Sequence, residues 1–227
     1  DVFNSKSTEF ATPLAGDALG YGYGYKEATN YAALNANQLL NYNKKVGLHD
    51  ISILLGHESK SDDYWYLYGG KKNYYDPYNP EFNNAGTMTQ LDSYTSQYKI
   101  EGYLSRAEYN YSDKYYFSAS FRRDGSSKFA PEVRWGNFWS VGGAWRVKEE
   151  TFLKDVEVIS NLKLKSSFGT QGNDAISGSN LYMDQFTMVS DGTMASPVFS
   201  YRGAPNLTWE KSKNFNAGII PSGFCFR

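Results

Sequence analysis

Hydrophobic and polar positions alternate with a two-residue beat along three consecutive runs of this chain. In residues 103–111, Tyr103, Ser105, Ala107, Tyr109 and Tyr111 share one side, and Leu104, Arg106, Glu108 and Asn110 the other. In residues 115–123, Tyr115, Phe117, Ala119 and Phe121 oppose Tyr116, Ser118, Ser120 and Arg122. In residues 138–147, Trp139, Val141, Gly143, Trp145 and Val147 oppose Phe138, Ser140, Gly142, Ala144 and Arg146. A strand sends successive side chains to opposite faces, so each run predicts a strand with one apolar face and one polar or small face. Residues 112–114 make a tight polar turn, and residues 124–136 a longer loop. Strands of about ten residues joined by alternately short and long connections are the pattern of an outer-membrane β-barrel. Aromatics crowd the strand ends at Tyr109, Tyr111, Tyr115, Tyr116, Trp135, Phe138 and Trp139. Rings with a polar edge favour the boundary between membrane and water.

The flanking segments extend the pattern. Residues 1–26 are rich in Gly, Tyr, Thr and Ser and predict a loop, either a low-complexity linker or an aromatic loop facing ligand. Residues 30–44 predict a strand with Leu34, Ala36, Leu40 and Tyr42 on one face, although the AALNANQLL stretch also suits a helix. After a short turn at 46–49, residues 50–58 set Ile51, Ile53, Leu55 and His57 against Ser52, Leu54, Gly56 and Glu58. Residues 59–96 and 172–206 predict two long insertions without regular structure. Between them, residues 148–159 place Phe152, Val156 and Ile159 at helical spacing, which predicts a short amphipathic helix. Residues 162–171 and 207–220 predict two more strands. Lys163 and Lys165 would face a wet interior, because a charge on the lipid face near the midplane costs about 2–4 kcal/mol. The expected fold is all-β: about seven antiparallel strands of a large transmembrane β-barrel, with long extracellular loops and one short periplasmic helix.

Composition narrows the function classes. Aromatics make up 17% of the 227 residues, Tyr alone numbering 20, yet the mean hydropathy is -0.59, so the rings do not all belong to an oily core. A net charge of -1 gives no electrostatic case for nucleic acid. The single cysteine, Cys225, offers no intrachain disulfide or zinc site. No apolar run is long enough for a transmembrane helix, which leaves a barrel wall open.

Several segments resemble the SusC/RagA-like family of TonB-dependent outer-membrane transporters. They are LLNYNKKVGLHDISILLGHE (39–58), YLSRAEYNYSDKYYFSASFRRDGSSKF (103–129), RWGNFWSVGGAWRVKEETFL (134–153), LKLKSSFGTQGNDAI (162–176) and APNLTWEKSKNFNAGI (204–219). The resemblance implies an outer-membrane importer of oligosaccharides or peptides, working with a SusD-like surface lipoprotein and energised by TonB through a plug domain. It also implies a parent barrel of about 22 strands. Residues 1–227 are then expected to be part of that barrel domain, a fragment, a truncated product or a partial chain, without plug or signal peptide. Pro221 lacks the donor a sheet ladder needs, so residues 221–227 are expected to form an atypical tail.

No catalytic constellation, cofactor fingerprint or metal-ligand spacing stands out, so neither enzyme activity nor a cofactor is expected. His49 and His57 are expected as surface or girdle residues, and Asp62 with Asp63 lacks the spacing of a calcium loop. The Arg122, Arg123, Asp124, Gly125 cluster is expected to be a structural ion-pair and turn group at the rim. The best ligand-contact candidates are Tyr64, Trp65, Tyr66, Tyr68, Tyr74 and Tyr75. Such rings can stack on the C–H faces of sugars or on peptide edges, or they can pack loop on loop or against a partner protein. Residues 59–96 and 172–206 are the candidate partner surface. A soluble Tyr-rich β-sandwich that binds carbohydrate would alternate in the same way, and a passive porin would differ only in lacking a plug.

Overall fold

The computed structural model describes residues 2–11, 22–76, 78–154, 156, 159–178, 180–190 and 192–224. Ten strands follow in chain order: β1 (Val2–Ala11), β2 (Tyr23–Val46), β3 (His49–Tyr74), β4 (Ala85–Tyr111), β5 (Tyr115–Ser126), β6 (Trp135–Arg146), β7 (Ile159–Asn173), β8 (Gln185–Ser190), β9 (Ala195–Tyr201) and β10 (Glu210–Phe224). The main sheet has the order β1-β2-β3-β4-β5-β6-β7-β10, and β8 pairs with β9 in a separate hairpin. The chain divides into two compact units, Asp1–Asn35 with Lys60–Lys99, and Ala36–Ser59 with Ile100–Arg227. Strands β2, β3 and β4 contribute residues to both.

The second unit holds the seven strands expected from the alternation. Each hairpin turn has a local cause. Gly47 sits at φ 60° between β2 and β3, a conformation that costs glycine nothing. Ser112 (φ 56°) and Asp113 (φ 54°) are both left-handed, as the two central residues of a turn matched to strand twist are, within the three-residue connection from β4 to β5. Lys114 N–H donates to the Tyr111 carbonyl at 3.0 Å to close that turn. Antiparallel register then carries the apolar positions across neighbours: Phe117 opposes Gly143, Ala119 opposes Val141, Val141 opposes Phe168, and Phe168 opposes Phe215.

The apolar face of this sheet is the exposed one. Phe117 is 60% exposed, Val141 50%, Phe215 68% and Ile219 67%. The opposite face carries Ser118, Ser120, Ser140, Gly142, Lys163, Lys165 and Ser167 across the same register. Ser120 and Ser140 hydroxyls hydrogen-bond across it at 2.7 Å. A water-soluble sandwich buries its apolar face, so this arrangement is the reverse of the soluble alternative.

Five expectations change. Residues 1–26 are not all loop: Val2–Ala11 forms β1, paired residue for residue with β2 from Ala32 back to Tyr23. Residues 12–21, including part of the Gly-Tyr repeat, lie outside the described residues. Residues 59–96 are mostly strand, since β3 runs on to Tyr74 and β4 starts at Ala85, leaving a connection with one 3-10 turn at Phe82–Asn84. Tyr, Trp and Thr favour strands, and the Pro, Asn and Asp residues that suggested a loop cluster at the hairpin tip. Residues 172–206 contain the β8–β9 hairpin, with Phe186 edge-on to Phe199 at 5.9 Å. The expected helix is one turn, α1 (Thr151–Lys154), after a 3-10 turn at Val147–Glu149, and Ile159 already opens β7. Finally, β10 continues past Pro221, which opposes Leu162 in register. A proline is tolerated in a strand where its nitrogen points away from the ladder it sits in, here the one with β7.

Candidate functional site

Two rows of polar aromatics bound the apolar face of the second unit. The lower row runs across four strands: His49 (β3) against Tyr111 (β4) with centroids 5.0 Å apart, Tyr111 against Tyr115 (β5) at 6.4 Å, and Tyr115 stacked on Trp145 (β6) at 6.4 Å. His49 Nδ1 also lies 2.8 Å from the Tyr109 hydroxyl. The upper row is His57 stacked on Tyr103 at 4.9 Å, Tyr103 against Trp135 at 6.2 Å, and the Arg123 guanidinium 5.2 Å above the Trp135 ring. From row to row, residues 49–57, 103–111 and 115–123 each count nine, and 135–145 counts eleven. About 9–11 tilted residues cross the hydrocarbon of a bilayer. Both rows direct their polar ends away from the span. The Tyr103 hydroxyl donates to Glu101 at 2.6 Å, and the Tyr115 hydroxyl to Glu150 at 2.5 Å. Both histidines therefore sit in girdles. Of the other aromatics expected there, Tyr116 and Phe138 share the opposite face with Ser118 and Arg122, and Trp139 lies within the span.

Glu150 follows the 3-10 turn between β6 and β7 and holds the lower girdle in place. It accepts from Tyr115, from Trp145 Nε1 at 3.1 Å, and sits 3.6 Å from Lys114 Nζ. The Tyr115 hydrogen bond, then the indole and Lys114, hold its carboxyl below the usual glutamate range. No motif marks this residue, because two of its three partners, Lys114 and Tyr115, are remote in the chain.

On the face opposite the upper girdle, the motif segments converge on one small core. Phe129, Phe138 and Trp209 are buried together, with Phe129 fully enclosed and Ile100, Val133, Ile176 and Leu207 packed around them. Trp209 Nε1 donates to the Arg134 carbonyl at 2.7 Å. Ser126, also fully buried, donates to Asp174 at 2.7 Å. A Cβ on Gly172 would lie 2.1 Å from the Phe138 ring, so only glycine admits that ring. RRDGSSKF, RWG, SFGTQGND and NLTW are thus the walls of one cluster. Arg122 Nε lies 2.8 Å from Asp124 and its terminal nitrogen 2.8 Å from Glu58, so this group is structural, as expected.

The aromatic candidates lie in the first unit. β3 counts 26 residues and β4 27, more than twice the length that a bilayer crossing needs. Here Tyr64 and Tyr66 pack against Tyr94 of β4, centroids 5.8 and 5.1 Å apart, and Tyr68 stacks on Tyr25 of β2 at 5.5 Å. Burial among these rings, with the carboxylate of Glu27 adding, pushes the hydroxyls of Tyr64 and Tyr66 above the usual tyrosine range. The remaining candidates are elsewhere. Trp65 alternates to the other face beside Leu67, Tyr74 is buried at the strand end, and Tyr75 is almost wholly exposed. Glu27 and Tyr94 were not singled out, and Tyr25 only as part of the Gly-Tyr stretch that could face ligand. Reading residues 60–74 as strand would have put the even-numbered tyrosines on one face and pointed to their neighbours.

On its polar face, the second unit also encloses a concavity of about 740 Å³ lined by Asp50, Ser52, Glu108, Ser118, Lys163, Lys165 and Asn216, among others. Charges of both signs and hydroxyls make it a wet surface, and the two lysines face it as expected.

Girdled nine-residue spans with an apolar outer face and a polar inner one define a wall of a transmembrane β-barrel. Residues 2–224 match the family described as TonB dependent receptor-like, beta-barrel. The chain belongs to this family, on its SusC/RagA-like branch. It is 30% identical over 207 residues to the TonB-dependent receptor SusC of Bacteroides thetaiotaomicron, covering 87% of this chain and 20% of SusC. It is 30% identical over 230 residues to TonB-dependent receptor P3 of Formosa agariphila, covering 96% of this chain and 23% of that receptor. Among solved structures, the RagAB peptide transporter matches 98% of this chain and 25% of its own with a TM-score of 0.91 at 24% identity, a likeness of fold. The chain therefore spans about a fifth to a quarter of the length of these relatives.

Proposed function

We propose that this segment serves an outer-membrane, TonB-dependent active importer of oligosaccharides or peptides. The observation that carries the reading is the girdle-to-girdle span: nine residues, apolar outside, polar within, repeated on adjacent strands. In the longer protein, TonB would deliver energy through a plug domain seated against the polar face. The extended strands and the β8–β9 hairpin would meet ligand and a SusD-like lipoprotein outside the membrane. The wall itself performs no chemistry; it seals against lipid and offers a hydrated interior. Tyr64, Tyr66 and Tyr68 are the contact residues this reading favours, because they share one face with Tyr25 and Tyr94. Trp65, Tyr74 and Tyr75 are separated from them.

Carbonate washing of membranes from cells making the full-length protein should leave it in the pellet. Uptake of its nutrient should cease when the inner-membrane proton gradient is collapsed or TonB is removed. Release by carbonate would end the membrane reading, and uptake that persists without TonB would favour a passive porin.

A further inference from the structure

The tyrosine face of the first unit carries a charge pattern that selects among ligands. Its three strands contribute aromatic and acidic side chains in alternation. On β2, Tyr25 stacks on Tyr68, and Glu27 lies two residues further along the same face. On β4, Tyr94 packs on Tyr64 and Tyr66, and Asp92 lies two residues away on that face.

Close to the rings the carboxylates outnumber the free cations, since Lys72, in the same even-numbered row, lies four residues beyond Tyr68. Lys60 is spent on Asp62 at 2.6 Å, Lys26 on Glu81, and Lys71 on the carbonyls of Phe82 and Ala85. Asp63 accepts from Gln97 at 2.5 Å. Among the described residues, Glu27 and Asp92 have no ion-pair partner. Both are close enough to Tyr66 to bear on its hydroxyl. Two unneutralised carboxylates beside π faces favour an organic cation, since a ring attracts a cation over its face and a carboxylate completes the pair.

Spacing selects the kind of cation. Tyr64, Tyr66 and Tyr68 repeat every second residue, about 6.6 Å apart along the strand. Same-side side chains of an extended peptide repeat at the same interval.

We propose that the face formed by Tyr25, Glu27, Tyr64, Tyr66, Asp92 and Tyr94 is a subsite for an extended peptide segment bearing lysine or arginine. This rests on the importer reading above and narrows its ligand to basic peptides. Anionic glycans and acidic peptides are repelled by the same carboxylates.

The test uses the full-length transporter in detergent and three fluorescent peptides of equal length, one with lysines, one with glutamates and one neutral. The lysine peptide binds tightest, and added salt weakens it most. In the Glu27→Gln/Asp92→Asn double variant its Kd rises about fivefold, and the neutral peptide is unaffected. Both side chains lie on an open strand surface, and heat-modified gel mobility confirms that the variant folds. Lys44→Gln, an exposed change in the second unit, leaves all three affinities as they were. Equal binding of the lysine and glutamate peptides, or an unchanged Kd for the lysine peptide in the double variant, overturns the proposal. So does a neutral oligosaccharide that displaces the lysine peptide equally from both proteins. Those outcomes leave the importer reading standing, which fails separately if uptake proves independent of TonB.

Discussion

The girdled span and the tyrosine face use one alternation to opposite ends. In the span, outward positions such as Ile51, Ile53, Leu55, Phe117 and Val141 are aliphatic or plain aromatic and exposed, and rings with polar edges concentrate at the two borders, Trp139 excepted. Along the same strand β3, the odd-numbered row then turns polar at Ser59, Ser61 and Asp63, and rings crowd the even-numbered row instead. Aliphatic side chains suit hydrocarbon, where no donor or acceptor awaits them, whereas Tyr suits an interface with water on one side. The change of character along one continuous strand therefore marks where the bilayer ends. The upper girdle at His57 falls at that change.

The rim core lies just beyond this border and should give the largest effect. Trp209→Ala removes a ring that is 8% exposed, packed on Phe129 at 5.6 Å and Phe138 at 5.4 Å. It should cost about 3–5 kcal/mol, read by urea unfolding of the full-length protein in vesicles. Proteolysis between β5 and β6 should also accelerate, because Phe129 loses its cover. Tyr75→Ala, at the tip of the other unit, should change stability by less than about 0.5 kcal/mol, since that ring is almost wholly exposed. Equal effects from the two would erase the distinction between a packed rim and an open tyrosine strand.

Next comes the span itself. Phe117→Arg places a charge on the outer face two residues inside the lower girdle and should cost about 2 kcal/mol, the low end of the midplane range. Ser118→Arg, one residue along, faces the polar concavity and should cost under about 1 kcal/mol. Membrane-insertion yield and unfolding midpoints check both. The reverse order would turn the sheet inside out and sink the membrane reading.

A smaller effect is expected where the span meets the rim. A Cβ on Gly102 would stand 2.3 Å from Asp124 Oδ1 and 3.0 Å from an Arg122 nitrogen. Gly102→Ala should push that ion pair aside and cost about 1–3 kcal/mol. At Gly143, inside the span, a Cβ meets nothing closer than 3.7 Å, so Gly143→Ala should cost under about 0.5 kcal/mol in the same unfolding assay.

The sequence showed the span well and the outer unit poorly, for a physical reason. A half-exposed strand in lipid must alternate strictly, so residues 103–111 and 115–123 declared themselves, as did Ile51, Ile53 and Leu55. The far half of β3 has no single apolar medium to satisfy. Its Asp, Gly and Lys content therefore resembled a loop, although Tyr64, Tyr66 and Tyr68 keep the beat. The rim core was invisible as a core because Phe129 lies in the β5–β6 connection, Phe138 in β6, and Trp209 just before β10, much further along the chain. They were legible only as motifs, and it is the structure that gives those motifs their common purpose. Glu150 was missed for the same reason: its value lies in Tyr115, 35 residues away in the chain.

The smallest effect is at the lower girdle, and it is a matter of pH. Tyr115, Trp145 and Lys114 all favour ionised Glu150, so its folded pKa lies below its unfolded value of about 4.3. A depressed carboxylate binds fewer protons in the folded state. Its contribution to stability is fully present above the unfolded pKa and is lost as pH falls through the folded one. Acidification from about pH 7 toward about pH 3 should therefore lower the unfolding midpoint more in the native protein than in Glu150→Gln, which has no proton to gain. The Trp145 indole bonds this carboxylate at 3.1 Å, so its fluorescence should shift over the same range in the native protein alone. An equal fall of the midpoint in Glu150→Gln would mean that this carboxylate does not anchor the girdle, and the division between an anchored border and an open, ligand-facing surface would lose its support.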